Sequence, residues 1–161
     1  MLTTSPSLVF RRCTNVLEDQ TIVEGAVQWG NNDGLDVESG SNLTFSGGWI
    51  QTGDHCIAFR SGNCNTLRTP WQRMPSGDIQ PLHSVTVQDM WLSSTSAAIK
   101  IEALFQEDHG NVSNVTVHNV TIRESNRGIG IWQRVGSGIL SDIYFHDADE
   151  VHDTSTVLGL C

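Results

Sequence analysis

Residues 31–62 read NNDGLDVESGSNLTFSGGWIQTGDHCIAFRSG, and this stretch holds one short phrase twice. Two strand-like runs, Leu35–Glu38 and Ile57–Arg60, are each entered through a carboxylate, Asp33 or Asp54, and each is closed by Ser-Gly. Laying Ser39-Gly40 over Ser61-Gly62 takes a shift of 22 residues. The alternation recurs in SAAIKIEA (96–103) and NRGIGIWQ (126–133). Leu35, Ile57, Ile99 and Ile129 then form one apolar column, and Val37, Phe59, Ile101 and Ile131 a second. A further family of strands, Asn42-Leu-Thr-Phe, Ser84-Val-Thr-Val and Asn114-Val-Thr-Val, begins 15 residues before Ile57, Ile99 and Ile129 in turn.

Strands that repeat every ~20 to 30 residues with no helical pattern between them predict an all-β solenoid, in which each rung pairs only with its neighbours. The expectation is a parallel β-helix. Period-2 alternation turns the Leu, Ile, Val and Phe columns inward, and like-phased residues on successive rungs stack about 4.8 Å apart. Phase in the sequence thereby becomes position in space. About five coils are expected, at residues 8–16, 42–60, 84–102, 114–133 and 139–145. The solenoid is expected over residues 1–145, and residues 146–161 (HDADEVHDTSTVLGLC), which lack rung-like alternation, as an irregular acidic tail. His146, Asp147, Asp149 and His152 read as solvated tail residues rather than as a metal site.

Charge narrows the partners. A net charge of −9 leaves no basic face for nucleic acid or for an anionic membrane surface. It does not exclude an acidic substrate held by local Arg or Lys. No stretch is long and apolar enough to span a membrane, and residues 1–12 lack the basic start and apolar core of a secretory leader. Cys13, Cys56, Cys64 and Cys161 have no metal-ligand spacing. A Cys56–Cys64 bridge across the Ser61-Gly62 turn and buried free thiols both remain open. Glycosylation sequons begin at Asn42, Asn111, Asn114 and Asn119, although Asn at a coil corner followed by Val or Leu and Thr is also what the ladder itself requires. Residues 64–81 hold three of the four prolines and lengthen the spacing from Ile57 to Ile99 to 42 residues, which predicts a loop thrown out from the stack.

The register sorts the polar residues as well. Asp33, His55, Ala97 and Arg127 share a column at the strand entrance, and Asn32, Asp54, Ser96 and Asn126 share the next. Asp36, Ala58, Lys100 and Gly130 form an outward column. Asp33 and Asp54 therefore fall on adjacent rungs in adjacent columns, with Cα atoms expected about 5 to 7 Å apart. Two carboxylates so placed on a rigid sheet suit glycoside hydrolysis: one, its pKa raised, protonates the leaving oxygen while the other stays ionised and activates water. Asp-Gly and Gly-Asp are also ordinary turn formers, so spacing alone leaves both readings open.

NNDGLD followed by GDHCIAFRSG closely resembles the NTDG and GDDCIAIKSG signatures of family 28 glycoside hydrolases, the polygalacturonases, and SAAIKIEA and NVTIRESNRGIGI resemble later segments of that family. The resemblance runs over residues 8–145. It implies a right-handed, single-stranded parallel β-helix, cofactor-free inverting hydrolysis of α-1,4-galacturonosyl linkages in pectin, a monomer, and an extracellular or cell-wall location. Position by position, Asp54 matches the family's general acid and Asp33 one of the carboxylates that activate water. The second such carboxylate is His55 here, the family's GHG histidine falls at Ala97, and its Arg-Ile-Lys clamp falls at Gly130-Ile131-Trp132. The family's catalytic domains are also longer than this chain, which therefore reads as a truncated copy. The catalytic candidates are thus Asp54, Asp33 and His55. The substrate-binding candidates are Lys100, Arg127, Arg60 and Asn32, and no metal is required. Trp132 offers either a stacking face to sugar or a packing surface to a neighbouring coil. The alternative function is a catalytically impaired carbohydrate-binding module or a non-functional fragment.

Overall fold

Alternation and corner residues together explain how this chain coils. A computed structural model describes residues 8–10, 13–24, 32–61, 81–104, 110–133, 138–151 and 158–160. They form eleven strands: β1 (Leu8–Phe10), β2 (Cys13–Glu24), β3 (Leu35–Glu38), β4 (Gly40–Thr52), β5 (Ile57–Arg60), β6 (Leu82–Ser94), β7 (Ala97–Leu104), β8 (Asn111–Arg123), β9 (Arg127–Gln133), β10 (Ile139–Val151) and β11 (Leu158–Leu160). Odd strands make one parallel sheet in the order β1-β3-β5-β7-β9-β11, and even strands a second in the order β10-β8-β6-β4-β2. Each strand pairs with the one two places on in the chain, which is the connectivity of a parallel β-helix. No helix among the described residues is long and apolar enough to cross a membrane.

The register is the one the repeat predicts. Leu8, Leu35, Ile57, Ile99, Ile129 and Leu158 pair in sequence, as do Phe10, Val37, Phe59, Ile101 and Ile131. In the second sheet Val16, Leu43, Val85, Val115 and Ile143 stack, with Phe45, Val87, Val117 and Phe145 beside them. Leu35, Phe45, Ile57, Phe59 and Ile99 are fully buried, so the core is a set of apolar stacks between the two sheets.

The long even strands bend at fixed places. Asn15, Asn42, Ser84, Asn114 and Asp142 have φ between 52° and 57°, and Gln20, Asp89, Asn119 and Asp147 repeat the left-handed conformation five residues later. Asn and Asp tolerate that region because a short polar side chain can hydrogen-bond locally. Asn42 Nδ2 donates to Asn15 Oδ1 at 3.0 Å and Asn114 Nδ2 to Ser84 Oγ at 3.2 Å. The sequon asparagines at 42, 114 and 119 are thus corner residues of the ladder.

One expectation changes and one open alternative is decided. His146 does not begin an irregular tail: β10 runs on to Val151, with His146 opposite His118 and Ala148 opposite Val120. The polar residues there are the corner (Asp147) and outward positions of a rung, which is why a hydrophobic pattern does not reveal them. Leu158–Leu160 then pairs with β9. Cys56 carries a buried free thiol whose Sγ donates to the Ser93 carbonyl at 3.1 Å, and burial pushes its pKa up to about 12. Its proposed partner Cys64 and the loop at 64–80 lie outside the described residues, as does His152.

Candidate active site

The site sits at the strand entrances of the odd-strand sheet. Asp33 precedes β3, Asp54 and His55 form the turn between β4 and β5, and Ser96 precedes β7. Gly34, between Asp33 and β3, has no room for a side chain: a Cβ there would meet the Cys56 carbonyl oxygen at 2.6 Å. The Gly34 amide donates to the His55 carbonyl at 2.9 Å, and the His55 amide donates to Asp33 Oδ1 at 3.1 Å. These bonds fix the two entrance turns one rung apart.

The side chains converge on one nitrogen. His55 Nδ1 lies 3.0 Å from Asp33 Oδ1 and 2.8 Å from Asp54 Oδ1, and its Nε2 lies 3.1 Å from Ser96 Oγ. All three ligand atoms fall within 4.8 Å of one another. On the far side of Asp33, Arg60 Nη2 donates to Oδ2 at 2.8 Å, while Nη1 makes an ion pair with Asp36 Oδ1 at 3.0 Å. Asp54, His55, Asp33, Arg60 and Asp36 therefore form one chain of charges. The Asp54 side chain is its exposed end, at 19% against 8% for Asp33.

Protonation follows from that geometry. Burial alone would raise the Asp33 pKa, but the hydrogen bonds and charge of His55, with the Arg60 guanidinium, outweigh it and hold the carboxyl below its usual range. Burial likewise pushes His55 down, and the two carboxylates overcome it, leaving the imidazole more basic than usual. Asp36 goes the other way: burial dominates, the Arg60 charge offsets it only in part, and the pKa rises to about 6.

The register also delivers the downstream candidates. Lys100 pairs with Ala58 on one side and Gly130 on the other, in the outward column, and Arg127 pairs with Ala97. Trp132 lies edge-on to the His55 ring with centroids 5.6 Å apart, and its own ring has Lys100 Nζ at 5.4 Å and Arg127 Cζ at 5.7 Å. Lys100, Arg127, Trp132 and His55 are thereby brought together. Arg60 is not brought to them: it is buried, with Nη2 on Asp33 and Nη1 on Asp36. Asn32 is buried beside Asp33 in the chain.

Asp36 and Ser96 are members that periodicity did not single out. Both stood in polar columns of the register, which is the signal that could have found them.

The match to known proteins bears on this geometry. Residues 3–138 match the model of glycosyl hydrolases family 28. The chain belongs to that family. It is similar to polygalacturonase-2 of Solanum lycopersicum, with 30% identity over 138 residues, 84% of this chain and 26% of the relative. It is also similar to the polygalacturonase of Malus domestica, with 27% identity over 94% of this chain and 29% of the relative. Endopolygalacturonase I of Aspergillus niger shares 27% identity over 69% of this chain and 33% of the relative. The chain spans about a quarter to a third of the length of these curated relatives. No solved structure matches it.

Proposed function

We propose that this chain carries the acid–base site of a pectin-degrading glycoside hydrolase acting outside the cell on α-1,4-galacturonosyl linkages. The carrying observation is the convergence of Asp33 Oδ1 and Asp54 Oδ1 on His55 Nδ1 in a chain of family 28. Asp54, the exposed carboxyl, protonates the leaving glycosidic oxygen. Its proton comes from His55 Nδ1–H, 2.8 Å away, and the two carboxylates make that imidazole more basic than usual. Asp33 stays ionised under Arg60 and takes the proton of the attacking water.

The expected course is inverting, with water on the face opposite Asp54. The two carboxylates sit within 4.8 Å, tighter than the ~6.5–9.5 Å that leaves room for water in most inverting sites. Asp54, the more exposed of the two, must therefore swing off His55 once it has taken its proton and the sugar enters. Lys100 and Arg127 pair with uronate carboxylates.

The test is a reducing-sugar assay on polygalacturonate. Asp54→Asn should lower turnover by about 10²- to 10⁴-fold, the usual worth of a positioned acid. Turnover unchanged in that variant sinks the assignment.

A further inference from the structure

His55, Gly130 and Trp132 lie in one place. Trp132 is carried on β9, two rungs from the turn before β5 that holds His55, yet their rings meet edge-on with centroids 5.6 Å apart. The indole therefore reaches back across the intervening rung, that of Ala97 and Lys100. It can do so because its own strand is bare beneath it: a Cβ built on Gly130 would collide with Cζ3 and Cη2 of Trp132. The edge of the indole thus takes the space that a side chain at 130 would occupy.

Two cations stand by the ring. Lys100, paired with Gly130, brings Nζ to 5.4 Å from the ring centroid, and Arg127, at the start of the same strand as Trp132, brings Cζ to 5.7 Å. An aromatic surface edged by two cations, next to a pair of carboxylates, is a seat for an acidic sugar. A pyranose presents an apolar C–H face to an aromatic ring, and its carboxylate accepts from ammonium or guanidinium.

We propose that Trp132 is the specificity-determining residue of this site: a stacking platform on which a uronosyl unit lies, its carboxylate between Lys100 and Arg127. This rests on the reading of the site as a pectin hydrolase for the identity of the sugar, but it concerns binding and needs no turnover. A strand-borne pair of cations reads charge alone. An indole with flanking cations reads the ring first and the charge second, so a methyl-esterified uronate should lose only part of its affinity.

The experiment is calorimetric titration of the full chain with trigalacturonate, with its methyl ester, and with a neutral galactose trisaccharide. Wild type is expected to bind the acid best, the ester several-fold more weakly, and the neutral sugar least. Trp132→Ala should weaken the acid and the ester alike by about 10-fold, the scale of one lost aromatic contact. Trp132→Phe, which keeps a ring in a smaller volume, should recover most of that loss and controls for misfolding. Lys100→Met should weaken the acid but not the ester.

Affinity unchanged in Trp132→Ala overturns the platform, and so does a wild-type chain that binds none of the three. Binding that obeys these rules without hydrolysis of polygalacturonate leaves the platform standing and removes the catalytic reading alone.

Discussion

Arg60 is the residue whose removal this site tolerates least, and the cost should depend on pH in a defined way. Its guanidinium is buried, with Nη2 on Asp33 at 2.8 Å and Nη1 on Asp36 at 3.0 Å. Arg60→Met keeps the apolar stem and deletes the charge, leaving buried Asp33 and half-buried Asp36 without their counter-ion. Breaking a buried pair by removing one partner costs about 3–5 kcal/mol.

The protein can escape part of that cost by taking up a proton. Asp36 already titrates near pH 6 with Arg60 present, and without it both carboxyls move higher. A folded pKa raised above the unfolded value means stability that is present at low pH and lost as pH rises through the folded pKa. The penalty should therefore be small at pH 5 and reach its full value at pH 8, growing by about 1.4 kcal/mol per pH unit for each carboxyl in its titration range. Urea unfolding of wild type and Arg60→Met at pH 5, 6.5 and 8 measures it. A loss below about 1 kcal/mol at pH 8, or one equal at pH 5 and pH 8, refutes the ion-pair account.

Other perturbations separate the remaining contacts. His55 has a raised folded pKa, so its contribution is complete below its unfolded value of 6.5 and is lost as pH rises through the folded one. In His55→Gln, melting temperature should fall less between pH 6 and pH 9 than in wild type, and an unaltered slope counts against the bridge to Asp33 and Asp54. Gly130→Ala forces the indole off its strand. It should cost about 1–3 kcal/mol, as overpacking does, and expose Trp132, visible as a red shift in emission that is absent from Trp132→Phe/Gly130→Ala. Hydrolysis followed by proton NMR should show the inverted anomer first, and a retained anomer would mean that the short Asp33–Asp54 separation is itself the working geometry.

How much of this was legible in the sequence differs between backbone and side chains. A 22-residue offset between two Ser-Gly pairs was enough to set Leu35 against Ile57, because in a β-solenoid a phase error of one residue would expose every core side chain. The same phase put Asp33 beside His55 and Lys100 beside Gly130. What periodicity did not carry is the direction a long side chain takes once it leaves an outward position. Arg60 stood as a candidate for holding substrate, yet its guanidinium turns back onto buried Asp33 and half-buried Asp36. The boundary at Phe145 failed for the opposite reason. His146, Asp147 and Asp149 are polar because they occupy corner and outward positions, and a pattern that scores only apolar alternation takes such a rung for a tail.

The contacts around Trp132 depend on one another. Trp132 cannot lie where it does unless position 130 lacks a Cβ. The same indole packs edge-on against His55, whose Nδ1 faces Asp33 and Asp54. A carboxylate at position 55 would set a like charge beside those two and remove the ring that Trp132 packs against. A Cβ at 130 that displaces the indole should therefore be felt at His55, and through His55 at the carboxylate pair.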